Sequence, residues 1–170
     1  MEQKHVMIDI ETFDVVETAV ITEIAAQIVN VENGIIEDTF NSIIDIDSQK
    51  GRSISGKTLQ FWQMNKMFER YFYSEKIDII QALENLNSFI PENALVWANS
   101  PQFDLSIIKH AMRMYGITPS WFFYNERDLR TLKSFYPQKT IHIPNFGTNH
   151  VALDDCNYQC HVLCRLYQLR

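Results

Sequence analysis

The stretch Val6-Met7-Ile8-Asp9-Ile10-Glu11-Thr12-Phe13 sets two carboxylates into an apolar run near the start of the chain. Extended backbone sends successive side chains to opposite faces, so Asp9 and Glu11 share a face with Met7 while Ile8 and Ile10 point the other way. Two carboxylates side by side on an apolar strand repel each other unless a cation lies between them. Hard divalent ions such as Mg or Mn seek such oxygens, and a buried, unpaired carboxylate is costly. An Asp-x-Glu pair also arises by chance or at an exposed strand end, so its meaning depends on partners elsewhere in the chain.

Working outward, Ala19 to Val31 and Ile35 to Ile46 are rich in Ile and Val and are separated by Glu32-Asn33-Gly34, the signature of a hairpin. Helical periodicity follows over Thr58 to Asn65 and over Lys76 to Ile90, the second closed by Pro91. Ala94 to Ala98 reads as a short buried strand. Asp104 opens a helix through Ile107, Ile108, Ala111 and Met112 that ends at Gly116. Trp121 to Tyr124 reads as a fifth strand and Arg127 to Phe135 as a short helix. Pro137 to Asn149 reads as an irregular loop, and Leu153 to Leu169 as a last helix with Leu153, Cys156, Cys160, Leu163 and Tyr167 inward. The order predicts an α/β fold: a mixed sheet of about five strands, three antiparallel first and then parallel ones, flanked by helices. Residues 1–170 are expected to form a single domain.

The chain has 170 residues, 46% of them hydrophobic, enough to fill one sizeable core. Its start, interrupted by Asp9 and Glu11, has the form of neither a signal peptide nor a membrane span, so a soluble cytoplasmic protein without a membrane partner is expected. Cys156, Cys160 and Cys164 fall at helical spacing on one segment, which suits a core stripe of reduced thiols rather than disulfides or a zinc knuckle. A net charge of -6 argues against coating long nucleic acid by charge alone. From Asp104 to His142, however, six cations stand against three carboxylates, which is either a local basic face or solvated helix surface.

Asp104 follows the strand ending at Ala98, a place where sites in layered α/β proteins gather, although an ordinary helix cap also fits. His150 and Asp155, with four residues between them, stand just before and just inside the last helix. Each signal is weak alone. Their order on suitable elements is what gives them weight.

The three segments Val6 to Phe13, Trp97 to Ile108 (W-A-N-S-P-Q-F-D-L-S-I-I) and His150 to Asp155 (H-V-A-L-D-D) resemble the motifs of the DEDDh, or DnaQ-like, 3'-5' exonucleases of the ribonuclease H-like fold. The resemblance covers nearly the whole chain. Thr58 to Gln63 (T-L-Q-F-W-Q) and Trp121 to Leu132 look like the branch that includes phage exonucleases and a mycobacterial exoribonuclease-like group. Ser100 stands where Gly is expected and Cys156 where Ala is usual. Val151 occupies the position at which the tyrosine version of the family would carry Tyr.

The resemblance implies a 3'-5' exonuclease acting on single-stranded DNA or RNA with two divalent cations, Mg or Mn. Asp9 would bridge both ions, Glu11 and Asp155 would complete the first site, Asp104 would hold the second, and His150 would be the general base. An imidazole titrates near neutrality, as that role requires. Expected substrate contacts are Thr12, Phe13, Trp62, Arg127 and Arg130, with Phe61 and Lys133 beside them. Aromatic residues at these places serve either base stacking or the core, and the Arg127-Asp128 pair serves either phosphate binding or helix bracing. Some relatives pair as dimers, so a homodimer belongs among the expected states. Two rival readings stay open at this stage: an inactive nucleic-acid-binding module of the same fold, and a phosphohydrolase of small nucleotides.

Overall fold

The computed structural model describes residues 3–136, 143–144 and 147–169. The sheet begins with β1 (His5–Thr12), β2 (Ile21–Asn30) and β3 (Ile35–Ile43). Three helices follow, α1 (Gly56–Met64), α2 (Met67–Tyr73) and α3 (Ile79–Phe89). Next come β4 (Leu95–Ala98), α4 (Asp104–Met114), β5 (Glu126–Asp128), α5 (Leu129–Ser134) and α6 (Ala152–Tyr167). The strand order is β3-β2-β1-β4-β5. The first three strands pair antiparallel, and β4 and β5 add parallel to β1 and to each other. This is the expected mixed α/β sheet, with β1 at its centre.

Alternation along β1 divides the core between the two faces of the sheet. Val6, Ile8 and Ile10 pack with Leu83 and Leu86 of α3 and with Ile108 and Met112 of α4. Met7 packs on the other face with Trp97 and with Cys156, Cys160 and Leu163 of α6. The three cysteines are free and buried, as their helical spacing implies. The inward face of α6 also includes Ala152, Gln159, Val162 and Leu166, whereas Leu153 and Tyr167, expected inward, are only partly covered. A third cluster of Phe13, Val20, Trp62, Met67 and Tyr71 closes the end of the sheet at which β1 finishes.

Local chemistry explains several boundaries. The Asp78 carboxylate accepts the Ile80 N–H at 2.8 Å and caps α3. Gly116 supplies the left-handed turn (φ 71°) after α4. Two expectations need correction. The fifth strand is Glu126–Asp128, not Trp121 to Tyr124, where Trp121 is buried, Phe122 is exposed and Phe123–Asn125 form a 3-10 turn. An aromatic-rich run favours strands only where a partner strand faces it, and β4 faces Glu126, Arg127 and Asp128 instead. The short helix accordingly begins at Leu129, with Asp128 as its cap accepting the Thr131 N–H at 3.1 Å. Helix α2, absent from the sequence reading, forms from the aromatic segment that covers the third cluster. The expected loop over Pro137 to Asn149 lies largely outside the described residues.

Candidate active site

A cleft of about 920 Å³ opens at the C-terminal ends of β1 and β4. Its lining includes Asp9, Glu11, Asp104, His150 and Asp155, so residues far apart in sequence meet at one place. Strand alternation turns Asp9 and Glu11 to the α6 face of β1. Across the sheet Glu11 stands opposite Glu23 of β2. Asp104 opens α4 after a turn in which its own N–H and that of Phe103 donate to the Ser100 carbonyl, at 3.1 and 2.8 Å. Its carboxylate accepts the Ile10 N–H at 3.4 Å, which ties α4 to β1.

On the other side, His150 has a left-handed backbone (φ 64°), and its N–H donates to the Asp155 carboxylate at 2.8 Å. Its ring meets Phe61 edge to face, with centroids 4.9 Å apart. One ligand atom each from Glu11, His150 and Asp155 lie within 4.8 Å of one another. Gln159, one helical turn after Asp155, donates from Nε2 to the Asp9 carboxylate at 2.6 Å.

Crowded carboxyl groups dominate the site. Burial, then the neighbouring Asp104 and Glu11 carboxylates, raise the Asp9 carboxyl far above the usual range, and the Gln159 hydrogen bond offsets only part of this. Burial, followed by Asp155 and Glu23, pushes Glu11 up to about 8. Asp104 is pushed up to about 7, chiefly by burial, and burial also raises Asp155. Four carboxyl groups that resist ionisation side by side form a set of oxygen donors short of positive charge. Hard divalent cations fit that set.

Among the expected substrate contacts, Thr12, Trp62 and Arg130 line the cleft, as do Phe61 and Lys133. Thr12 is buried and donates to the Asp14 carbonyl at 2.6 Å. Trp62, also buried, donates from Nε1 to the Thr12 carbonyl at 3.0 Å. The Arg130 N–H donates to the Asn99 carbonyl at 3.2 Å, fixing α5 beside the cleft. The structure does not bring Phe13 or Arg127 there. Phe13 is buried against Trp62, Phe68 and Tyr71. Arg127 donates to the carbonyls of Tyr124 and Glu126, bracing its own turn.

Sequence reasoning missed Gln159, Glu23, Lys57, Phe103 and Tyr158. The offset of four residues from Asp155 could have exposed Gln159, and an acid within the apolar run Ile21-Thr22-Glu23-Ile24 could have exposed Glu23. Lys57, Phe103 and Tyr158 carry no local signal.

A model of the 3'-5' exoribonuclease Rv2179c-like domain matches residues 4–166. No curated protein sequence matches significantly. Among solved structures, the nuclease domain of 3'hExo, a DEDDh family member bound to rAMP, superimposes with a TM-score of 0.66 at 14% identity, covering 98% of this chain and 92% of that one. The RNase domain of the yeast Pop2 protein gives 0.70 at 14% identity, covering 97% and 76%. E. coli Exonuclease I in complex with a dT13 oligonucleotide gives 0.70 at 11% identity, covering 99% of this chain and 41% of that one. At these identities the superpositions establish the fold. Divalent-metal dependence is typical of that fold, and the carboxylate cluster fits it. The fold is that of the DEDDh nuclease domain of 3'hExo. The family match extends over nearly the whole chain, which therefore belongs to the Rv2179c-like family of 3'-5' exoribonuclease domains and is a hydrolytic 3'-5' exonuclease.

Proposed function

We propose that the chain hydrolyses the terminal phosphodiester bond at the 3' end of single-stranded nucleic acid, RNA before DNA, with residues 1–170 acting as a single exonuclease domain. The observation that carries this reading is the meeting of Asp9, Glu11, Asp104, Asp155 and His150 in one cleft, on three separate elements and a turn. RNA comes first because the matching family is described by exoribonuclease activity. Related folds hold rAMP in 3'hExo and a dT13 oligonucleotide in E. coli Exonuclease I, so both sugars belong in the test.

Asp9, Glu11, Asp104 and Asp155 are the residues that would hold two divalent cations, Mg or Mn. Such cations, when bound, stabilise the charge that develops on the phosphate and on the leaving oxygen. His150 is the general base: its imidazole, held against Phe61 and anchored through its N–H to Asp155, takes the proton of the attacking water. Lys57 from α1 and Arg130 and Lys133 from α5 stand on the cleft walls, where they offset strand phosphates. Thr12 and Trp62 line the cleft beneath the terminal nucleotide. The Phe61 ring, 43% exposed, offers a stacking surface that tolerates any base.

The test is degradation of 5'-labelled single-stranded RNA and DNA with Mg or Mn, beside an EDTA control and Asp9→Ala. The expected result is a metal-dependent ladder shortening from the 3' end, faster on RNA and absent in the variant. Intact strands under the same conditions, with cleavage of small nucleotide esters instead, would overturn the reading.

A further inference from the structure

Glu23 is 2% exposed, on the middle strand of the antiparallel unit, directly across from Glu11. Arg70 of α2 meets it with both terminal nitrogens: Nη1 bonds Oε2, and Nη2 bonds Oε1 at 2.6 Å. The same Oε2 accepts the N–H of Ala152, the first residue of α6, at 3.3 Å. The first N–H groups of a helix have no partner within it and are normally satisfied by the side chain of the capping residue. Val151 stands at that position and offers no such group. A carboxylate supplied from β2 therefore does the work of the cap, where the helix dipole also favours negative charge. A second cavity of about 90 Å³ lies beside the cleft and is lined by Glu11, Glu23, Arg70, His150 and Val151, so the pair sits directly behind the candidate base.

We infer that Arg70 and Glu23 are a positioning pair that docks the turn of His150 and the first residue of α6 onto β2 and α2, and so sets the turnover rate without touching substrate. The inference rests on the exonuclease reading above. Arg70 also balances the negative charge of Glu23, which stands across from Glu11. Neither residue lines the main cleft. Their effect on the chemistry passes through the placement of His150, which stands just before the docked end of α6.

The experiment compares Arg70→Met, Arg70→Lys, Glu23→Gln and the double Arg70→Met/Glu23→Gln on a short 5'-labelled oligonucleotide, with Mn affinity measured by calorimetry. Arg70→Met is expected to lower kcat by about tenfold or more while KM and Mn affinity stay within about twofold. Arg70→Lys recovers part of the loss. Glu23→Gln loses less, because its amide oxygen still accepts the Ala152 N–H. The double variant loses no more than Arg70→Met alone, since both substitutions break one interaction. A parental kcat in Arg70→Met, or kcat, KM and Mn affinity all deteriorating together with the folded fraction, overturns the inference. Amide exchange at Ala152 supplies a readout independent of catalysis and is expected to quicken in Arg70→Met. If the parent chain cleaves nothing, the exonuclease reading fails, while unchanged exchange at Ala152 refutes the docking itself.

Discussion

The two walls of the cleft are built on different terms. Asp9 and Asp104 sit on buried, hydrogen-bonded backbone, Asp9 in the central strand and Asp104 at the first turn of α4, and neither is more than 9% exposed. His150 and Asp155 are half-buried, His150 in a left-handed turn and Asp155 in the first turn of α6. The first wall concentrates charge in a place that cannot relax to relieve it. The second brings the His150 ring up to those carboxyl groups from a turn that meets Phe61 and Asp155. Burial creates the demand for cations, and the more open wall supplies the imidazole proposed as the general base.

Asp9→Asn strikes the rigid wall and is expected to have the largest effect, with loss of both Mn binding by calorimetry and detectable exonuclease activity. His150→Ala strikes the other wall. It is expected to lower kcat by about 10²- to 10⁴-fold, the range for a general base, with Mn affinity nearly unchanged. A parallel loss of Mn affinity would erase the contrast and make His150 a ligand, which its closeness to Glu11 and Asp155 also allows.

The aromatic residues sharpen the comparison. Phe61→Ala is expected to leave the melting temperature unchanged and to raise KM by about tenfold, the scale of one lost base stack. Phe13→Ala is expected to cost about 3–5 kcal/mol of stability in denaturant unfolding, because its ring is wholly inside the third cluster. A raised KM in a stable Phe13 variant would return Phe13 to the substrate surface.

The smallest effect concerns pH. Glu11 and Asp104 hold protons in the folded chain at pH values where the unfolded chain has released them, with pKa values near 8 and 7. Folded stability of the metal-free chain therefore falls as pH rises from the usual carboxylate range toward 8. Thermal melts in EDTA are expected to drop by several degrees between pH 6 and pH 8, and added Mg or Mn to raise the melting temperature more at pH 8, where protons compete less for the oxygens. A melt flat with pH would mean that the rigid wall is not charge-strained.

Much of this arrangement is legible in the sequence. Period-two alternation in Val6 to Phe13 placed Asp9 and Glu11 on one face, because that rule depends on backbone geometry alone. The hairpin, the helices with strong periodicity and the cysteine stripe of α6 followed from equally local physics. Misreadings fell where local preference is weak. Trp121 to Tyr124 has the residues of a strand but no strand beside it, and Arg127 sits near the cleft in sequence while its guanidinium is occupied by its own turn.

By itself, the sequence determined the α/β order of elements and the carboxylates and histidine from which a metal-dependent site can be assembled, since composition, periodicity and motif spacing are written along the chain. Only the tertiary structure decided which strand is the fifth, that Gln159 steadies Asp9, that Phe13 is core while Phe61 faces the cleft, and that Glu23 and Arg70 stand behind His150. Those outcomes depend on contacts between residues up to 150 positions apart, such as Gln159 with Asp9. Contacts of that range are set by how the helices pack on the sheet, and no local pattern encodes them.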